Sequence, residues 1–337
     1  MRPTRRGVTV AVAVVLAFAS ATFFGARGLN AVAAPGLVAL VAAVVQVGRT
    51  SAPTVSRSLP RRGVQGETVE VEASFDVARP YSARFTETLR EGLEGVGTDV
   101  AFTIGSRPLR YDLVLRGRGR RVVGPAVVEA RDVLGLVSRR FLVEGQETIL
   151  VRPPVHPLWG VWADELVRRF GRGDDRQQFD SLRPYRRGDP LRDVHWRSSA
   201  KLPGESFVVK QFSTGEDERR VRVAGESEVG YADALATATA SIAVHLLAEG
   251  LRVGVETADV AVDPHAGPDQ QDRVLDALAE TRGGALAARA RERADVVVRA
   301  DASGVTVSLA EATVPFRAVV GRRLDLGPAG SAAEGAA

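Results

Sequence analysis

The chain has 337 residues, no cysteine and a formal net charge of +4. Disulfides, thiol catalysis and cysteine-ligated zinc are therefore excluded, and so small an excess of positive charge argues against a general nucleic-acid binder. Lys201 and Lys210 are the only lysines, so the positive charge is almost all arginine, as the coding bias of a GC-rich genome would give.

Residues 1–50 read as a membrane hairpin. Val8 to Ala26 and Ala31 to Gly48 carry no charge. Each run is about 18–19 residues, and at about 1.5 Å per residue it approaches the roughly 30 Å of a bilayer's hydrocarbon. Only Arg27-Gly28-Leu29-Asn30 separates them, so two spans would lie antiparallel. Arg2, Arg5 and Arg6 precede the first run, Arg49, Arg57, Arg61 and Arg62 follow the second, and Arg27 alone lies between. Positive residues stay on the cytoplasmic side, so both termini are expected in the cytoplasm of a cell-membrane protein. A cleaved signal peptide is one rival reading, and it leaves the second run unexplained; a buried core hairpin is the other, although two uncharged runs back to back are rare in soluble domains.

From 63 to 153 the hydrophobic period becomes two. Val69, Val71, Ala73 and Phe75 alternate with Thr68, Glu70, Glu72 and Ser74, the mark of a half-buried strand. Further short strands are expected at Tyr111–Arg116, Arg121–Val123, Val127–Ala130, Val137–Leu142 and Thr148–Arg152, so the segment reads as an antiparallel β-sandwich-like domain. Arg116, Arg118, Arg120 and Arg121 form a basic cluster. It reads more simply as a solvated hairpin end than as a contact for phospholipid headgroups.

The segment 154–212 reads as a linker holding the densest motif of the chain. Asp189 before Pro190 predicts a helix start, with a helix running to about Ala200 and a strand over Phe207 to Phe212. Arg183, Tyr185, Gly188, Asp189, Arg192, Val194, Trp196, Ser199, Ala200 and Lys201 follow the pattern Arg-x-Tyr-x-x-Gly-Asp-x-x-Arg-x-(Val/Ile)-x-Trp-x-x-Ser-Ala-Lys. This pattern resembles the signature of a bacterial and archaeal family known only as domain of unknown function fifty-eight. Gly124-Pro125 and Asp132-Val133-Leu134-Gly135-Leu136 look like that family's Gly-Pro and Asp-Pro-Phe-Gly-Leu stretches, with departures at Val133 and Leu134. Members commonly begin with two membrane spans, so the resemblance covers most of the chain.

Physically, Arg183 and Arg192 suit bidentate pairing with carboxylates such as Asp189 and Asp193. Tyr185 and Trp196 add apolar area with a polar handle. The motif reads either as a staple between domains or as a docking surface for a partner, with Arg186, Arg187, Arg197 and Lys201 outward. Six basic and two acidic residues lie between 183 and 201.

Over 213–329 the expected order is strand, helix, strand: Val221–Ala224, Tyr231–Glu249 and Leu251–Glu256. A helix near Gln270–Glu280 and strands near Asp295–Arg299 and Val305–Leu309 follow. This order predicts a parallel sheet with covering helices. The resemblance implies a von Willebrand factor A-like α/β domain here, making the whole a multi-domain chain of membrane hairpin, sandwich and α/β domain. Where such domains carry Asp-x-Ser-x-Ser for a cation, this chain has Ala224-Gly225-Glu226-Ser227-Glu228. Those residues offer too few oxygen ligands, so no metal is expected, and no cofactor. Residues 330–337 read as a flexible tail.

Catalytic patterns are missing. Gly225 to Gly230 is one residue too long for a nucleophile elbow, and neither lysine follows a glycine, so no P-loop exists. His156, His195, His245 and His265 are scattered. The expected function is a non-enzymatic membrane-anchored adaptor. The resemblance implies a MoxR-type AAA+ ATPase as partner, acting on the assembly or maturation of other proteins. An accessory of the cell envelope, linked to transglutaminase-like partners, is one alternative. A module for anions or nucleic acid is the other, with nucleic acid the less expected ligand.

Overall fold

The computed structural model describes residues 1–25, 27–105, 107–170, 179–185, 208–212, 220–310 and 312–320. The chain divides into two compact units, Met1–Arg152 and Pro153–Ala337.

The first unit opens with a two-residue strand β1 (Arg2–Pro3) and two 19-residue helices, α1 (Arg5–Phe23) and α2 (Asn30–Gly48). Both helices are long and apolar enough to cross a membrane. Val12, Val15, Leu16, Phe18, Val38 and Val41 lie exposed along them, apolar surface that water would penalise and hydrocarbon would not.

Ten strands follow: β2 (Thr54–Ser58), β3 (Arg62–Val64), β4 (Thr68–Asp76), β5 (Tyr81–Leu89), β6 (Leu93–Val96), β7 (Asp99–Ile104), β8 (Leu109–Leu115), β9 (Gly119–Arg131), β10 (Val137–Val143) and β11 (Glu147–Arg152). One sheet has the order β1-β10-β9-β11-β3, with β5 and then β7 added beside β9; the other has the order β2-β4-β8-β6. Alternation in β4 and β8 places Val69, Val71, Ala73, Tyr111, Leu113 and Leu115 inward, against Phe85, Val128, Ile149 and Val151 of the larger sheet.

The long strand β9 was read from the sequence as two short ones around Gly124-Pro125. It is continuous because its partner changes there: residues 126–131 pair with β10 and residues 119–123 with β11. Gly124 has φ +97°, and a Cβ on it would lie 2.5 Å from the Gly145 carbonyl, so no side chain fits at the changeover.

This core also holds a charge pair. Arg57 donates from Nε (2.8 Å) and Nη2 (3.0 Å) to the Glu87 carboxylate, and from Nη1 to the Gly145 carbonyl. The Tyr111 hydroxyl donates to the same carboxylate at 2.6 Å. The two charged side chains are 1% and 0% exposed. Burial, and then Glu87 itself, push the Tyr111 phenol well above its ordinary pKa.

The second unit contains the helix α3 (Val161–Phe170) and a two-stranded antiparallel sheet of β12 (Phe179–Pro184) and β13 (Val208–Phe212). A six-stranded sheet follows, built from β14 (Arg220–Ser227), β15 (Arg252–Glu256), β16 (Ala261–His265), β17 (Val296–Asp301), β18 (Gly304–Leu309) and β19 (Ala312–Pro315). The helices α4 (Ala232–Ala248), α5 (Pro268–Glu280), α6 (Ala288–Glu292) and α7 (Phe316–Val319) accompany it. Leu235, Ile242 and Leu246 of α4 share one apolar core with Val223, Val253, Val298, Leu278 and Phe316.

The von Willebrand factor A-like α/β domain expected over 213–329 is corrected here. The chain is mostly β-sheet behind a helical N-terminus. In the six-stranded sheet, β14 runs parallel to β15 and β17, but β16, β18 and β19 are all added antiparallel. The order β16-β15-β14-β17-β18-β19 makes hairpins of its outer strands. A parallel neighbour needs a crossover of a dozen residues or so, whereas a hairpin needs only a few. The connections β15–β16, β17–β18 and β18–β19 are of the short kind, and they convert a helix-covered parallel plan into a mixed sheet.

Candidate functional site

The residues that organise the first unit gather where α1 and α2 meet the sandwich. The connection from β9 to β10 is a turn built on Asp132, which is 4% exposed. Its carboxylate accepts from the backbone N–H of Leu134 (2.9 Å) and of Val137 (2.7 Å), and its carbonyl accepts from the N–H of Gly135. Gly135 takes φ +68°, which glycine adopts without strain. The stretch Asp132-Val133-Leu134-Gly135-Leu136 thus has a physical reason for its first, fourth and fifth residues: a cap, a left-handed corner and an apolar plug.

The plug enters between the helices. Leu136 and Val137 bury against Ala43 and Val47 of α2, with Val10, Ala39 and Leu40 packed around them. Gly7 of α1 passes so close that a Cβ on it would lie 2.0 Å from the Leu136 carbonyl. Thr4 caps α1 by accepting from the Gly7 N–H (3.0 Å), donates its hydroxyl to the Gly135 carbonyl (2.6 Å), and gives its own N–H to the Leu136 carbonyl. β1 then pairs with β10, Arg2 opposite Ser138 and Pro3 opposite Val137. On α2, the Gln46 side chain accepts from the Val133 N–H. Val133 and Leu134 are left 81% and 56% exposed at the tip of the turn.

The chain leaving α2 is held as well. The Thr50 carbonyl accepts from Arg139 (3.1 Å), whose guanidinium also stands 4.8 Å from the centre of the Phe141 ring. The Ser51 carbonyl accepts from the Tyr81 hydroxyl at 2.9 Å. Burial pushes the Tyr81 phenol up to about 12, against the opposing pull of Arg139. The sandwich is therefore docked on both apolar helices through hydrogen bonds and an apolar plug. The sequence reading saw only a turn at 132–136. The one sequence signal for the dock was the similarity of that stretch to a family pattern.

The signature motif fares differently. Arg183 lies in β12, opposite Val209 of β13, and Tyr185 follows the strand half-buried. Gly188, Asp189, Arg192, Trp196, Ser199, Ala200 and Lys201 lie outside the described residues, as do His195 and the expected helix up to Ala200.

Other candidates are tied up within the protein. Arg121 donates to the carbonyls of Gly117, Glu91 and Arg118, and Arg116 pairs with Glu94 at 2.8 Å. Arg118 is only 9% exposed, so this arginine cluster organises loops. At the end of β14, Glu226 pairs with Arg291, and the N–H of Ser227 donates to the Gly284 carbonyl at 3.0 Å. Among the described residues, no group of three or more His, Cys, Asp or Glu is placed to hold a metal ion. Asp259 is opposed by burial but held below the usual carboxylate range by hydrogen bonds from Thr281, the Arg282 N–H and Thr257. It fastens the loop after α5.

No family model matches the chain, and no curated protein matches it. Several solved structures are similar over part of it. A PKD domain of an M14-like peptidase from a Thermoplasmatales archaeon is 13% identical, covering 30% of this chain and 97% of its own, with a TM-score of 0.23. An alpha-2-macroglobulin from Escherichia coli is 19% identical over 34% of this chain and 20% of its own, with a TM-score of 0.24. A CARDB domain from Pyrococcus furiosus, in complex with di-metal ions, is 11% identical over 31% and 90%, with a TM-score of 0.20.

Proposed function

We propose that the protein is a non-enzymatic adaptor of the cell membrane that carries its sandwich and its second unit on the cytoplasmic side. The observation that carries this reading is the dock at Asp132–Val137. The sandwich grips both apolar helices directly, which suits a tether that holds the sandwich close against the bilayer. Arg2, Arg5, Arg6 and Arg49 flank the helices at this end, and their charge favours the cytoplasmic side. Val133 and Leu134 then lie at the boundary of hydrocarbon and headgroups, a favourable place for bare apolar side chains beside cations.

The partner surface in this reading is the signature motif from Arg183 to Lys201. Its resemblance to domain of unknown function fifty-eight supports a MoxR-type AAA+ ATPase as the partner, with ATP chemistry left to that protein. Affinity purification of the full chain from native membranes, with and without nucleotide, tests this. An ATPase recovered with the wild-type chain and lost from an Arg192→Ala/Trp196→Ala variant is the expected result. Recovery of no ATPase in either condition sinks the partnership. A fluorescent or phosphatase reporter at the C-terminus tests the orientation, and an external signal defeats it.

A further inference from the structure

We propose that a cleft beside the exit of α2 binds the anionic headgroup of a membrane phospholipid. The cleft is about 310 Å³ and is lined by Arg49, Ser51, Ala78 and Arg79. Arg49 is the residue immediately after the last of α2, so in a membrane its guanidinium lies at headgroup depth. The inference rests on the membrane-anchored reading above and gives that anchor a lipid preference.

Several arginines of the same sandwich face a carboxylate. Arg84 pairs with Asp99, Arg110 with Glu72, Arg116 with Glu94 and Arg131 with Glu129. Arg49 and Arg79 do not: no carboxylate lines their cleft, and neither side chain has a hydrogen-bond acceptor among the described residues. Two arginines lining one cleft suit the oxygens of a phosphodiester, and Ser51 adds a hydroxyl to the same lining.

The wall is also fixed in advance. The carbonyls of Thr50 and Ser51 are taken by Arg139 and Tyr81, so the segment between the arginine positions loses little freedom when a ligand arrives. The third guanidinium, that of Arg139, adds positive potential nearby. Height above the bilayer selects the source: a lipid headgroup reaches this cleft without leaving its leaflet.

The test uses the full-length chain in nanodiscs of phosphatidylcholine with a minor fraction of phosphatidylglycerol, with retained lipids identified by native mass spectrometry. The wild type is expected to retain phosphatidylglycerol with an enrichment on the order of tenfold over the bulk ratio. Arg49→Gln/Arg79→Gln should fall to the bulk ratio, while the charge-matched Arg220→Gln/Arg317→Gln in the second unit should keep the enrichment. No enrichment in the wild type, or full enrichment in Arg49→Gln/Arg79→Gln, overturns the site. So does loss of the wild-type enrichment when inorganic phosphate is added at constant ionic strength, which reassigns the cleft to a free anion. Alkaline carbonate extraction of native membranes separates the two levels. A chain released by carbonate fails the anchor itself. A chain that stays in the membrane without lipid preference fails only the headgroup site.

Discussion

The cores of the two units reach low exposure by different means. In the sandwich, the Arg57–Glu87 ion pair lies fully buried with the Tyr111 hydroxyl on the same carboxylate. In the second unit the most deeply buried polar side chains described, Thr237, Thr239, Ser241, Gln270 and Thr281, are all neutral, and the one buried charge among the described residues, Glu226 at the end of β14, pairs with a partly exposed Arg291. A buried ion pair adds little net stability when intact, but it is costly to break from one side. A neutral apolar core loses stability in proportion to the volume removed. The sandwich should therefore be brittle toward loss of a charge, and the second unit graded toward loss of methylene groups.

Glu87→Ala is expected to have the largest effect, since it strands the Arg57 guanidinium in the core. A loss of roughly 3–5 kcal/mol is expected in the sandwich alone, read by hydrogen exchange of β4, β5 and β8 against β14 and β17. Equal loss of protection in both units would end the contrast. Leu246→Ala is the counterpart in the second unit. Leu246 is fully buried on α4, and its truncation should cost roughly 2–5 kcal/mol there and leave the sandwich strands protected.

The next largest effect belongs to the dock. Gly7→Val drives a branched side chain into the Leu136 carbonyl and should cost roughly 1–3 kcal/mol, enough to part turn from helix. Because the protein has no cysteine of its own, Ala43→Cys and Leu136→Cys give a clean reporter. A short thiol crosslinker should join them in otherwise wild-type membranes and fail to do so when Gly7→Val is added. Efficient joining in the Gly7→Val chain would show that the dock tolerates the clash.

The smallest effect is alkaline. Tyr111 and Tyr81 both have phenols raised above the ordinary value of 10.0, Tyr81 to about 12. A raised acid contributes stability in full below its unfolded value and loses it as pH rises through the folded one. The sandwich should thus weaken above pH 10.0, and the Tyr81 part should be lost by about pH 12. Tyr111→Phe/Tyr81→Phe should flatten this response in the sandwich. A slope unchanged by the double substitution would assign the weakening to other groups.

Much of the first unit was legible because short-range pattern and burial agree there. Period-two alternation marks β4, and the uncharged runs mark α1 and α2. β5, β6 and β7 went unread: the alternation in Tyr81–Leu89 was passed over, and Glu87 stands at a buried position whose partner is distant in sequence. The second unit was misread at the level of pairing. The elements strand, helix, strand at Val221, Tyr231 and Leu251 are present, but the short step from Asp295–Arg299 to Val305–Leu309 allows only a hairpin. That spacing was visible, and it already pointed away from a wholly parallel sheet. Among the site residues, Asp132, Gly135 and Leu136 were noticed as a pattern, while their target on α1 and α2 depends on contacts more than eighty residues apart. Arg57 was counted with the membrane-flanking charges, but the fold places it in the sandwich core.

The pairing of β1 with β10 sets an order on biosynthesis. Arg2, Pro3 and Thr4 bond to Gly135, Leu136, Val137 and Ser138, so a segment ahead of both apolar helices waits for one translated well after them. The two helices are therefore made without their clasp, and the sandwich completes itself against helices already formed. Until then residues 2–4 lack their partners on β10, so the dock closes only after the β9–β10 turn has been made.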